Sequence, residues 1–204
     1  MKEKVVVTGA AGFIGSHLVD ELVVNGYEVI ALDSLVAGDV ENINKQANFY
    51  QIDVRDSIEL KKIVKGCKYF FHLAAAMPIV RPPFEDTIEH EEVNVVGTIN
   101  CFNACIDSSV EKFLYASSTA VYGQATKLPI RESANVDLQS RPYSIQKFAG
   151  EQHALLLGER HNIQVLSLRL FANYGPRSLD RKKGSNAYSP VIGIFLNQKL
   201  NNQP

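Results

Sequence analysis

Tyr143 and Lys147 stand four residues apart in "RPYSIQKFAGEQ", residues 141–152, at what reads as the start of a helix, where that spacing puts both on one face. A phenol beside an ammonium can move a proton. The same spacing is also ordinary helix decoration, and the pair alone leaves both readings open. A second group has chemistry of its own: "TGAAGFIG" sets Gly9, Gly12 and Gly15 at GxxGxxG spacing between a predicted strand and a predicted helix. The first glycine permits a tight turn, the second lets the backbone approach a pyrophosphate, and the third lets helix and strand pack closely. The helix N-terminus then offers its free N–H groups and dipole to the phosphates.

Asp33 closes the next strand, 24 residues after Gly9. A carboxylate there accepts hydrogen bonds from both hydroxyls of an adenosine ribose and repels a 2′-phosphate. No arginine or lysine lies between Asp33 and Lys45, so NAD is expected rather than NADP. Asp53, in "QIDVRD", reads by itself as a turn residue. Beside the other motifs it becomes a candidate for the adenine amino group, with Val54 along the ring.

These residues need a scaffold. "KVVVTGA", "YEVIALD", "ANFYQIDVRD", "KYFFHLAAA", "KFLYASSTAVYG" and "QVLSLRLFANYG" read as strands. Between them lie helical patterns: "GFIGSHLVDELVVNG" ending at Asn25-Gly26, "DSIELKKIVKG" opened by Asp56 or Ser57, the long "IEHEEVNVVGTINCFNACIDS", and residues 143–160. Strands alternating with helices imply right-handed βαβ crossovers and a parallel sheet covered on both faces. The expected class is α/β, a doubly wound parallel sheet (Rossmann fold) over residues 1–177. Residues 178–204 then begin a small C-terminal substrate domain, with a helix in "AYSPVIGIFLNQKL".

With 204 residues, 46% of them hydrophobic, and a formal net charge of −1, the chain can bury a core. It has no general electrostatic grip on nucleic acid or an anionic membrane. Cys67, Cys101 and Cys105 form no paired framework and have no histidine at ligand spacing, so they read as reduced, buried thiols and no metal site is expected. "MKEK" runs straight into a strand, without a signal-peptide pattern or an apolar run near membrane-spanning length. A soluble, cytoplasmic protein is expected.

"TGAAGFIG", "HLAA", "SSTAVYG", "YSIQK" and "RLFANYGPR" occur in this order, and with them the chain resembles the extended short-chain dehydrogenase/reductase family, most closely its NAD-dependent nucleotide-sugar epimerases and dehydratases. Position by position, the resemblance implies cofactor contacts at Phe13 and Ile14, at Asp33, Ser34, Leu35 and Gly38 in "DSLVAG", and at Asp53 and Val54. It continues them at Leu73, Ala74, Ala75 and Met77, at Asn94, at Ser117, and at Phe171 beside the nicotinamide. It makes Tyr143 the acid/base and Lys147 the ligand of the nicotinamide ribose. Ser118 matches the hydroxyl that bonds the reacting sugar oxygen, with Ser117 and Thr119 as alternatives. An ammonium and a positive nicotinamide near the phenol would favour the phenolate.

Dehydratases of this family carry Asp-Glu directly after the Ser/Thr, where this chain has Thr119 and Ala120. That disfavours dehydration and leaves C4 epimerisation of a UDP-sugar through a transient 4-keto intermediate. A nucleotide-sugar reductase or dehydratase of the same family and a non-catalytic NAD-binding module are the rivals. The family's diphosphate-binding asparagine falls on Ala172, so Asn173, with Thr119 and Arg177, is the candidate for substrate. Family members run well past Pro204, and the resemblance implies that most of the substrate domain is missing. Sugar selectivity is expected there and in "MPIVRPPFED", 77–86. A homodimer is implied through the helices near 89–107 and 143–158, with Cys101, Phe102 and Cys105 as apolar contacts.

Overall fold

The computed structural model describes residues 2–77, 87–106, 108–124, 127–138, 141–178 and 191–202. Of the loop 77–86, only Met77 falls inside that range. Six strands, β1 (Lys4–Thr8), β2 (Glu28–Asp33), β3 (Asn48–Gln51), β4 (Tyr69–His72), β5 (Lys112–Ser118) and β6 (Gln164–Leu170), form one sheet in the order β3-β2-β1-β4-β5-β6. Every pairing is parallel. The order reverses between β1 and β4, so the crevice beyond their C-terminal ends is where a doubly wound sheet takes its ligand.

Helix α1 (Phe13–Val24) ends at Asn25, with Gly26 at φ +86° to turn the chain. Helix α2 (Ser57–Ile63) is capped by Asp56, whose carboxylate accepts from the N–H groups of Ile58 and Glu59. Helix α5 (Pro142–His161) opens on a proline and closes on Asn162 in the left-handed region. A last helix, α6, spans Val191–Leu200. No helix among the described residues is long and apolar enough to cross a membrane.

The pleat of β1 sorts the core. Val6 joins Ile30, Phe70, Phe113 and Tyr115 on the face packed by α2, α5 and the helix before β5. Val5 and Val7 join Val29, Ala31, Val19 and Leu22 on the α1 face. The expectation of a sheet covered on both faces holds for the central strands only. On the α1 side, Leu166 and Leu168 of β6 are 55% and 36% exposed, because α1 packs on β1 and β2 and, among the described residues, no other helix packs on that side.

The long helix before β5 differs from expectation as well. It runs as α3 (Thr87–Glu91), a π-helical turn (Glu92–Val96) and α4 (Gly97–Cys105). The turn's extra residue widens the helix where Asn94 faces inward, and Gly97 follows because a Cβ there would lie 2.5 Å from Val54 Cγ2. Cys101, Phe102 and Cys105 are fully buried in the core. They are not dimer contacts: burying Phe102 alone is worth about 1.5–3 kcal/mol to the fold, and that outweighs any surface role. All three cysteines are free and buried, and burial pushes the Cys67 thiol up to about 11.

Candidate active site

The C-terminal ends of β1, β2, β4 and β5 bring the glycine loop, Asp33, the loop after β4 and Ser118 to one edge of the sheet. Gly9 adopts φ +68°, and a Cβ on it would sit 2.8 Å from the Ala74 nitrogen. Only glycine therefore lets the β1 turn and the β4 loop touch. A Cβ on Gly15 would lie 2.0 Å from the Gly9 carbonyl oxygen, which fixes the close approach of α1 to the turn. Gly12 caps α1 without a side-chain hydrogen bond, and no acidic residue stands in the first turn. Ser16 N bonds back to Gly12 O at 3.0 Å, so the N–H groups of Phe13, Ile14 and Gly15 precede the first intrahelical bond and point where an anion would bind.

Asp33 is buried at the end of β2, and it accepts from Ala11 N at 2.9 Å and Leu35 N at 2.8 Å. The loop that follows is drawn over the glycine turn: Asp39 N and Asn42 Nδ2 both donate to Ala11 O. Leu35 takes φ +61°, a left-handed conformation costing about 1–2 kcal/mol for a residue with a Cβ. Gly38 gives room, since a Cβ would lie 2.8 Å from Asp33 Oδ1. Ser34 sits between them, half-buried.

Asp53 is engaged locally, with both carboxylate oxygens receiving the Arg55 guanidinium at 3.0 and 2.7 Å. Arg55 also reaches Glu92 at 3.2 Å. The Arg55 bonds outweigh burial and hold the Asp53 carboxyl below its ordinary range. Val54 is buried, and its carbonyl accepts from Asn100.

The loop Leu73–Met77 is held from two sides. Thr8 Oγ1 accepts the N–H groups of Leu73 and Ala74, each at 3.2 Å, so its own proton goes to His72 Nδ1 at 2.8 Å. Thr98 donates to Asn94 O at 2.7 Å and so accepts from His72 Nε2 at 3.0 Å. The imidazole is therefore neutral with its proton on Nε2. Burial, and then the Lys147 charge, push it down to about 3. On the other side the Asn94 amide spans Ala76, accepting its N–H and donating to its carbonyl at 2.8 Å each, with a further bond to Gln146 at 2.9 Å. Ala75 lies half-buried between these anchors and Met77 is exposed. Asn94, a candidate cofactor contact, thus spends its side chain on the loop.

Tyr143 and Lys147 lie in the first two turns of α5. Burial pushes the Tyr143 phenol up to about 12, opposed by the neighbouring Ser118 hydroxyl. Ser118 Oγ also accepts from Ala120 N at 3.1 Å, starting the 3₁₀ turn Thr119–Tyr122 that carries Thr119. Lys147 is buried, its ammonium 4.5 Å from the Tyr115 ring centre, and burial pushes it down to about 7. In the protein alone burial therefore leaves Tyr143 a neutral phenol at neutral pH; the phenolate expected from the sequence includes the charge of a bound nicotinamide.

Other candidates fall elsewhere. Ser117 alternates with Ser118 on β5 and donates to Glu151 at 2.7 Å. Phe171 is exposed just beyond β6, and Asn173 turns its amide onto Phe171 O at 2.8 Å. Arg177, at φ +64°, pairs with Asp20 of α1 at 2.7 Å, while His17 meets Pro176 O at 2.9 Å. Arg177 is therefore drawn to α1, and the Asn173 amide is spent on its own loop. Glu151 and Arg169 were absent from the sequence reading. The one signal for Glu151 was an acid four residues beyond Lys147 on a shared helical face.

The residues fit a dinucleotide: an uncapped helix start, a cradle that any Cβ would fill, and a carboxylate at the end of β2. Comparison with known proteins agrees. The chain is 37% identical over 201 residues to the putative UDP-glucose 4-epimerase of Methanocaldococcus jannaschii, covering 98% of this chain and 64% of that one. It is 36% identical to the UDP-glucose 4-epimerase of Mycolicibacterium smegmatis, covering 94% and 61%. Among solved structures, the UDP-glucose 4-epimerase of Thermotoga maritima with UDP-glucose superposes with a TM-score of 0.89 at 32% identity, covering 98% of this chain and 64% of that one. The Thermus thermophilus UDP-glucose 4-epimerase complex with NAD gives 0.86 at 33%, with the same coverage. The chain thus spans just under two thirds of the length of these relatives. The family profile described as "NAD dependent epimerase/dehydratase family" matches residues 5–203, and the chain belongs to that family.

Proposed function

We propose that this chain forms the NAD-binding part of a nucleotide-sugar epimerase acting at C4 of a UDP-sugar, with residues from 178 onward opening the substrate-binding part. The observation that carries the reading is the Tyr143 phenol near Ser118, one turn from Lys147, beside a dinucleotide cradle. The N–H groups of Phe13 and Ile14 would hold the pyrophosphate and Asp33 the adenosine ribose. Leu73–Met77, braced by Thr8 and Asn94, would line the nicotinamide side, and Lys147 would bond that ribose. Bound NAD would supply a hydride acceptor that later returns the hydride to the opposite face of the sugar.

Tyr143 takes the proton of the C4 hydroxyl as the 4-keto sugar forms and gives it back when the alcohol is restored. Ser118 holds that oxygen in line. A phenol at about 12 is almost wholly protonated at neutral pH, so little phenolate is present to take that proton. Positive charge beside it is what brings it into working range, and Lys147 is the resident source. Thr119 and Ala120 follow Ser118 with no carboxylate, so the site has no group there to take a C5 proton or protonate a departing hydroxyl, which supports epimerisation over dehydration.

Among the described residues Ile88, Val96, Ile145, Leu155 and Leu156 are exposed on α3, the π turn and α5. This apolar face supports a homodimer through these helices. The test of the activity is incubation with UDP-glucose: UDP-galactose should appear without net consumption of added NAD(H). Stoichiometric cofactor reduction, or a 4-keto-6-deoxy product, would replace epimerase by dehydrogenase or dehydratase.

A further inference from the structure

Glu151 is a buried carboxylate that the chemistry above does not use. It lies one turn beyond Lys147 on α5, 3% exposed, and its bonds run to the sheet. Arg169 of β6 donates Nη2 to Oε1 at 2.7 Å and Nε to Oε2 at 3.1 Å, and Ser117 of β5 donates to Oε2 at 2.7 Å. Arg169 is itself anchored, through Nη1 to the Tyr122 hydroxyl at 3.0 Å and the Glu132 carbonyl at 3.4 Å, with its guanidinium 4.9 Å above the Tyr122 ring. A carboxylate bonded this fully is fixed in place. Burial alone would raise its pKa, but the Arg169 and Ser117 bonds outweigh that and keep it ionised.

Lys147 is buried beside it to the same extent. Below the ammonium lies the Tyr115 ring, whose hydroxyl donates to the Lys147 carbonyl at 3.3 Å. Gly150 makes room for that ring, since a Cβ would fall 2.4 Å from the hydroxyl. A buried ammonium is costly unless compensated. The titratable groups around it are Tyr143 and Glu151 on its own helix, Tyr115 on β5, His72 on β4 and, behind Glu151, Arg169 on β6. The tyrosines and the imidazole are neutral at neutral pH, so Glu151 supplies the negative charge, opposing the burial that depresses Lys147.

We propose that Glu151 is a positioning residue: its carboxylate, clamped by Arg169 and Ser117 one helical turn from Lys147, raises the charged fraction of the buried ammonium that lies over Tyr115, ready for the ribose and for Tyr143. This rests on the roles given above to Tyr143 and Lys147. It also explains why a part-buried Arg–Glu pair joins α5 to the two strands ending at the site.

The test follows the titration of Lys147 in protein carrying lysine labelled with ¹³C at Cε, the resonance assigned with Lys147→Arg. Glu151→Gln should lower the Lys147 midpoint by about one pH unit. Because that variant leaves Arg169 unpaired, Glu151→Gln/Arg169→Met is measured alongside it and should show the same direction of shift. The alkaline limb of NAD affinity should move down by the same amount. An unchanged midpoint in the folded double variant overturns the proposal. The titration needs neither cofactor nor sugar, so a shifted midpoint in a protein that binds no NAD would instead sink the epimerase reading and leave the role of Glu151 standing.

Discussion

Tyr143→Phe is expected to lower UDP-sugar turnover by about 10²–10⁴-fold, the usual worth of a positioned acid/base, while NAD affinity stays within a few fold. The substitution keeps the half-buried ring and removes one hydroxyl, a change worth about 1 kcal/mol of stability. The fold should survive, and denaturant unfolding of the variant checks that the lost turnover is chemical. The groups proposed to hold the cofactor, Phe13, Ile14 and Asp33, lie on other elements and are untouched. Turnover within a few fold of the parent would remove Tyr143 from the acid/base role.

The second large effect is expected at Gly15. An alanine Cβ there would meet Gly9 O at 2.0 Å, Gly9 C at 2.7 Å and Ala10 Cα at 3.1 Å. All three are backbone atoms of the turn that ends β1, so the clash is relieved only by moving α1 away from the strand. Gly15→Ala should destabilise the protein by about 3 kcal/mol or more and abolish NAD binding, since the same movement opens the phosphate cradle. Gly66→Ala provides the contrast. Gly66 has φ +74° but nothing within 4 Å of a built Cβ, so only the left-handed backbone is penalised, at about 1 kcal/mol. Equal losses from the two substitutions, measured by chemical denaturation, would show that close packing is not the reason for glycine at position 15.

How much of this was legible in the sequence depends on the range of each interaction. The glycine turn, Asp33 at the end of β2, the Asp56 cap and the alternation of strands and helices are local, and spacing carries them. The family is likewise carried by short motifs in order. Spacing does not carry which way a side chain turns. Asn94 sits where the motif puts it, yet a π-helical turn aims its amide at the Ala76 backbone. Arg177 follows the expected "YGP" but closes on Asp20, 157 residues away. Cys101 and Phe102 lie on a helix expected to face a partner and point into the core instead. Glu151 and Arg169 meet only because α5 packs on β6, a contact no local pattern announces. The phenol at position 143 shows the same limit in electrostatics: its neighbour Lys147 and a positive nicotinamide argue for a low pKa, while burial, a tertiary property that spacing does not show, opposes it.

The most direct test of the central claim is to denature the purified protein, clear it, and identify and quantify the dinucleotide released. The account predicts near-stoichiometric NAD(H), because a cofactor reduced and reoxidised within each epimerisation cycle has no need to leave, and Asp33 repels a 2′-phosphate. Release of NADP(H), or failure to bind NAD even on titration, would contradict it.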